Sequence, residues 1–118
     1  MNRTVIAAVD DMMFASKIRA AAEHLDVNVR FVRNVQAALT AAKESAPDLF
    51  IVDLQSQRLD PFEFARELRA MKELQAIPML GFFSHVMTEI RERAIEAGYN
   101  QVVPRSVFSS KLREILAG

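Results

Sequence analysis

Short apolar runs alternate with longer amphipathic stretches along this chain. TVIAAV, residues 4–9, is continuous in its apolar character and of strand length. Phe14, Ile18, Ala21, Ala22 and Leu25 then recur at helical spacing. VNVRFV (27–32) alternates, the pattern of an edge strand with one solvated face. Asn34 is placed to cap a helix whose Val35, Leu39 and Ala42 fall on one stripe, and Pro47 closes it.

The next run, LFIV (49–52), is again strand-like. Asp60-Pro61-Phe62-Glu63 reads as a helix start with an acid at the N-cap, proline at N1 and Glu at N3. Phe64, Leu68 and Met71 form that helix's apolar stripe. IPMLGFF (77–83) predicts a fourth strand. A helix carrying Met87, Ile90, Ala94 and Ala97 follows and ends at Gly98, the expected C′ residue. QVV (101–103) is the fifth strand, and Ser106 is placed to cap a last helix bearing Phe108, Leu112, Ile115 and Leu116.

Five strands separated by helix-length segments imply an α/β fold, a (βα)5 doubly wound parallel sheet with right-handed crossovers. Three of the runs are apolar throughout, as central strands covered on both faces are. The length, 118 residues, suits a single domain over residues 1–118 that buries roughly 65% of its unfolded surface. Its 51% hydrophobic content supplies the core.

Fifteen basic and fifteen acidic residues balance to zero and are scattered rather than blocked. That argues against nucleic acid or an anionic membrane as the main partner. The chain has no cysteine, which removes disulfides, thiolate chemistry and Cys-ligated metals. The opening MNRTVIAAVDD has neither the form of a signal peptide nor that of a membrane span, so the cytoplasm is the expected compartment.

LFIVDLQ (49–55) raises the chemical question, because a carboxylate, Asp53, ends the most hydrophobic run in its neighbourhood. Burying an ionised carboxylate without a partner costs several kcal/mol or forces protonation. In open parallel sheets, ligands sit at the carboxyl ends of the strands. There the pattern puts Asp10-Asp11, Asp53, Phe83-Ser84-His85 and Pro104-Arg105-Ser106. Like charges about 4 Å apart repel by about 4 kcal/mol at an effective dielectric of 20, so three acids on one edge call for a cation. An all-oxygen donor set suits a hard ion, Mg²⁺ above all. The blander reading is that Asp11 only caps the first helix and Asp53 only begins a loop.

VDD at the end of the first strand, IVD at the end of the third, and the loop leading to LDPFEFARELRA resemble the receiver domains of bacterial response regulators, the CheY-like family. The resemblance covers the whole chain. It implies the flavodoxin-like strand order 2-1-3-4-5 and a signalling role in a two-component phosphorelay rather than an enzyme. By resemblance Asp53 is the phosphoacceptor. The resemblance likewise implies that Asp10, Asp11, Asp53 and the backbone carbonyl of Gln55 hold Mg²⁺. The implied partner is a histidine kinase or another signalling protein, met through helix 4, strand 5 and helix 5, with the chain a monomer or weak dimer.

Two positions depart from the family's pattern. Receivers carry Thr or Ser at the end of strand 4, where ungapped counting puts Phe83, with Ser84 one step later. Either a one-residue bulge rotates Ser84 into place, or the hydroxyl switch is missing. Receivers also carry Lys before a proline after strand 5, where Pro104-Arg105-Ser106 puts Arg105. Arg is longer and planar, so it either pairs with Asp53 bidentately or swings out as a surface cation. Asp60-Pro61 stands where receivers usually have Asp-Gly, which stiffens that loop. His85 and His24 read as solvated.

The acid triad favours a phosphoacceptor. Phe83 and Arg105 favour an interaction module that works without phosphorylation. A flavodoxin-like carrier would need a Ser/Thr/Gly-rich phosphate loop where this chain has Asp10-Asp11-Met12-Met13. A phosphohydrolase with its nucleophile on strand 1 would need an acid where Met12 stands.

Overall fold

A computed structural model of the chain describes residues 3–84 and 88–118. His85 and Met87 lie outside the described residues. The elements follow in the order β1 (Thr4–Ala8), α1 (Met12–Leu25), β2 (Asn28–Phe31), α2 (Val35–Glu44), β3 (Leu49–Asp53) and α3 (Pro61–Ala70). They continue with β4 (Met79–Phe83), α4 (Thr88–Ala97), β5 (Gln101–Pro104), α5 (Arg105–Ser110) and α6 (Leu112–Ala117). The five strands form one sheet in the order β2-β1-β3-β4-β5, and every pairing is parallel. This is the fold class and strand order expected from the sequence.

Side chains alternate across the sheet and feed two cores. Phe50 and Val52 of β3 join Met79 and Phe83 of β4 in one cluster with buried residues of α2, α3 and α4. Leu49 and Ile51 join Leu80 and Phe82 in the other, with Phe14 and Ile18 of α1 and Phe108, Leu112 and Leu116 of α5 and α6. The edge strand β2 alternates exposed and half-buried positions, whereas β4 is buried throughout. Strand alternation and core membership are thus one property, the period of two imposed by the pleat.

Local chemistry sets the helix ends. Asn34 Oδ1 accepts from the Ala37 N–H at 2.7 Å and starts α2. Asp60 Oδ1 accepts from Phe62 and Glu63 N–H, with Pro61 at N1 of α3. Asp26 ends α1 at φ 58°, a left-handed position that Asp tolerates better than bulkier residues. Gly98 follows α4 at φ 128° with Arg69 Cγ 2.7 Å from where its Cβ would be, so it admits no side chain.

The last helix differs from expectation in two ways. Its N-cap is Pro104, with no side-chain cap bond, so Ser106 lies inside the first turn rather than capping it. It is also divided at Lys111 into α5 and α6. Ser110 Oγ donates to the Val107 carbonyl at 3.0 Å, and serine hydroxyls that bond back into the preceding turn bend helices.

Candidate functional site

The carboxyl ends of β1, β3, β4 and β5 lie along one edge of the sheet, and the candidate residues lie there with them. Asp53 is the last residue of β3, half-buried and paired in register with Phe82 of β4. The chain turns immediately after it. Gln55 N–H donates to Asp53 Oδ1 at 2.9 Å, and Leu54 N–H donates to the Phe82 carbonyl. Gly81 makes room for that turn, since a Cβ there would stand 2.7 Å from Leu54 Cδ2.

The other two acids are engaged by the protein's own donors. Asp10 Oδ1 accepts from Ser56 Oγ at 2.7 Å, and its Oδ2 accepts from Gln57 N–H at 2.8 Å. These bonds pin the β3–α3 loop to the end of β1. Asp11 Oδ1 accepts from Met13 and Phe14 N–H as the N-cap of α1. Its Oδ2 takes the guanidinium of Arg105 at 2.7 Å. Asp11 is therefore the cap that the blander reading made it, and an ion-pair partner besides.

Arg105 takes neither position expected of it. It does not hydrogen-bond Asp53, and it is not a free surface cation. It reaches across to Asp11 and lies over the ring of Phe14, 4.1 Å from the centroid. Phe14 faces that cation because α1 buries its stripe against the sheet and α6, which leaves Phe14 beside Phe108 of α5. The ring itself is buried and tilts against Phe82 and Phe108 at 5.2 and 5.4 Å.

No bulge brings Ser84 inward. Pairing of β3 with β4 runs unbroken from Phe50↔Met79 to Asp53↔Phe82, and β4 with β5 from Leu80↔Gln101 to Phe83↔Pro104. Phe83 is buried in the core beneath α2, α3 and α4. Ser84 is exposed just past the strand, and its N–H donates to Gln55 Oε1 at 2.6 Å. Gln55 thus contributes a side chain as well as a carbonyl, tying the loop after β3 to the loop after β4. His24 is exposed on α1.

Electrostatics treat the acids oppositely. Burial pushes the Asp53 carboxyl above its ordinary value, and the charges of Asp10 and Asp11 push the same way against the Gln55 N–H and Arg105. The Arg105 hydrogen bond and the cap bonds hold Asp11 below its ordinary value. A raised carboxyl binds its proton more readily folded than unfolded, so stability falls as pH rises from the ordinary value of 3.8 through the raised one. Asp11 works the other way, and its contribution is lost as pH falls below 3.8. Asp53→Asn is accordingly expected to stabilise the fold at neutral pH. The gain should vanish below the ordinary carboxylate range. Urea denaturation of both proteins across pH checks this, and an unchanged or lower stability at pH 7 would contradict it.

Among the described residues, no group of three or more His, Cys, Asp and Glu side chains is gathered closely enough to hold a metal ion. The acids share an edge without converging, because Asp10 faces the β3–α3 loop and Asp11 faces Arg105. The donor chemistry still fits a hard divalent cation. Every candidate ligand is oxygen, and Asp53 Oδ2 has no hydrogen-bond partner among the described residues. Two neighbouring carboxylates also leave Asp53 short of positive charge.

Sequence reasoning overlooked Ser56, Gln57, Phe14 and the Gln55 amide. The polar run QSQR after Asp53 was the available sign of a loop that turns on its own side chains, as Ser56 Oγ does in accepting from Leu59 N–H. Phe14 carried no sign beyond its place in a core stripe.

The family model for the response regulator receiver domain matches residues 5–117. The chain belongs to that family. Receiver domains are two-component signalling modules that interact with histidine kinases and other signalling proteins, and they bind Mg²⁺ in their active site. The chain is 24% identical over 115 residues to the sensor histidine kinase CheAY of Helicobacter pylori, covering 95% of this receiver and 14% of that protein's length. A response regulator from Hahella chejuensis superposes with TM-score 0.87 at 22% identity, covering 98% and 93% of the two chains. The receiver domain of a Pseudomonas aeruginosa sensor histidine kinase, with magnesium coordinated in its active-site cleft, superposes with TM-score 0.84 at 22% identity over 98% and 95%. The phosphorylated cyanobacterial phytochrome response regulator RcpA gives 0.83 at 20% identity over 100% and 91%. Among the described residues, no helix of this receiver is long and apolar enough to cross a membrane.

Proposed function

We propose that this receiver takes a phosphoryl group on Asp53 from a histidine kinase. Mg²⁺ would be held by Asp10, Asp11, Asp53 and the Gln55 carbonyl, with an atypical switch at Phe83 and Arg105. The observation that carries the reading is Asp53 itself, a half-buried carboxylate at the end of a central strand whose surroundings are short of positive charge. A phosphoryl acceptor needs its own charge and that of the incoming group offset, which is what the metal supplies when bound. Residues of this chain do the positioning. Gln55 N–H fixes the rotation of the Asp53 carboxylate, and the Ser56–Asp10 bond holds the loop that bears it.

The position of Phe83 supports the altered switch. Phe83 offers no hydroxyl to a phosphoryl oxygen, and its ring fills the core. Any change at the α4, β5 and α5 face, the surface assigned to partners, then runs through the loop after β4, to which Gln55 is bonded. The same burial of Phe83, with Arg105 on Asp11, favours a second reading: a pseudo-receiver that binds partners without phosphorylation.

Incubation with Mg²⁺ and acetyl phosphate, followed by intact-mass measurement, separates the two. The expected result is gain of one phosphoryl group, abolished in Asp53→Asn. No gain under conditions where Mg²⁺ binding is demonstrated would leave the pseudo-receiver. Phe83→Thr with Arg105→Lys would then be expected to restore the modification.

A further inference from the structure

Both oxygens of Asp11 are in use. Oδ1 caps α1 through two N–H groups, and Oδ2 holds Arg105 at 2.7 Å. The guanidinium is seated on its other side by the face of Phe14, 4.1 Å away. That ring cannot drift, because it is buried and packed against both Phe82 and Phe108. The backbone of Arg105 is also fixed, as the first residue of α5 directly after Pro104 at φ −64°. Asp11, Phe14 and Arg105 line one concavity between α1 and α5 with Met13 and Ser106. A cation anchored by a planar ring, a carboxylate and a helix start is a built arrangement rather than a loose surface pair.

A divalent ion held by Asp11 would have to share Oδ2 with Arg105 or displace it, and two positive groups on one carboxylate repel each other. We infer that Arg105 is the resident counter-ion of Asp11 and sets the divalent-metal affinity of the site low. It acts as a latch that leaves Asp11 when the metal takes it. The inference rests on reading Asp10, Asp11 and Asp53 as metal ligands, and it concerns affinity rather than phosphoryl transfer. Arg105 is in this sense an affinity-setting residue. The charge that a typical receiver directs to the phosphoacceptor is directed here to Asp11.

The probe is Mn²⁺, with the free ion counted by electron paramagnetic resonance against the intact 118-residue chain. Arg105→Met keeps an apolar stem over Phe14 and removes the charge. It is expected to tighten Mn²⁺ binding about three- to tenfold, with Arg105→Lys in between. The difference should shrink as ionic strength rises. Asp11→Asn should weaken binding relative to Arg105→Met, and circular-dichroism melts of each variant establish that it is folded. Equal measurable affinity in wild type and a folded Arg105→Met overturns the latch alone, as does weaker binding in the variant. No Mn²⁺ binding by any variant overturns the latch together with the metal assignment, while leaving phosphoryl uptake to be decided by the mass measurement.

Discussion

Phe108→Ala should destabilise this receiver by about 3–5 kcal/mol, a large share of the 5–15 kcal/mol that holds a domain of this size folded. Phe108 is fully buried, stacks on Phe82 at 4.9 Å with rings 12° from parallel, and tilts against Phe14 at 5.4 Å. These three rings join β4, α1 and α5 across one face of the sheet. Truncation would open a cavity between rigid neighbours, two of them on elements fixed by other contacts, so little collapse can offset it. Urea denaturation is the measurement: the midpoint should fall with an unchanged slope, and Phe108→Leu should recover all but about 1.5 kcal/mol. A loss under about 1 kcal/mol for the alanine variant would mean that α5 folds back over the gap and the ring cluster is not a unit. A folded variant should also seat Arg105 less firmly, since Phe14 would lose one of the two rings that hold it.

That coupling shows what could be read from the chain and what could not. Phe14 and Phe108 announce themselves as helix-stripe positions, and the burial of both follows from spacing alone. The contact of Phe14 with Arg105 does not, because it depends on which way a long flexible side chain turns where the start of α5 comes near α1. Asp10, Asp11 and Asp53 were equally legible as residues at strand ends, because strand length and the α/β alternation place them there. What each acid bonds to was not legible. Asp10 takes Ser56 and Gln57 only because the loop after β3 doubles back, and Asp11 holds Arg105 instead of leaving it for Asp53. Strand runs were read slightly long, as at 77–83 against Met79–Phe83, since apolar residues continue into turns that the ladder does not reach. Phe83 was legible as a departure from the family's pattern, but only the register shows that no bulge interrupts β4 before it.

Arg69 was the least legible of the residues that matter, for it sits in α3 among other charged positions and nothing in its spacing sets it apart. Its guanidinium makes five hydrogen bonds and no ion pair among the described residues. Nε and Nη2 donate to the Gly98 carbonyl at 3.0 and 2.6 Å, and Nη1 donates to the carbonyls of Gln75 and Ile77 at 2.6 and 2.9 Å. Nη2 also reaches Asn100 Oδ1 at 2.8 Å, an atom that accepts the Met79 N–H as well. Five donors in a fixed fork are all that arginine has, and all five are used. One side chain thereby ties the end of α3 to the entry of β4 and to the turn between α4 and β5. Arg69→Met keeps the stem and removes the fork, leaving three carbonyls to find water. The expected loss is about 2–3 kcal/mol, well below the sum of five charged hydrogen bonds because the carbonyls are partly accessible to solvent. Arg69→Lys should recover less than half of it, since three donors on a point charge cannot reach around the same set. Hydrogen exchange gives the sharper test. Protection should drop first at Tyr99, Asn100 and the strand β5, before the amides of β1 and β3 respond. A uniform drop over the whole sheet, or none, would count against Arg69 as a local clasp and make it one more charge on a helix surface.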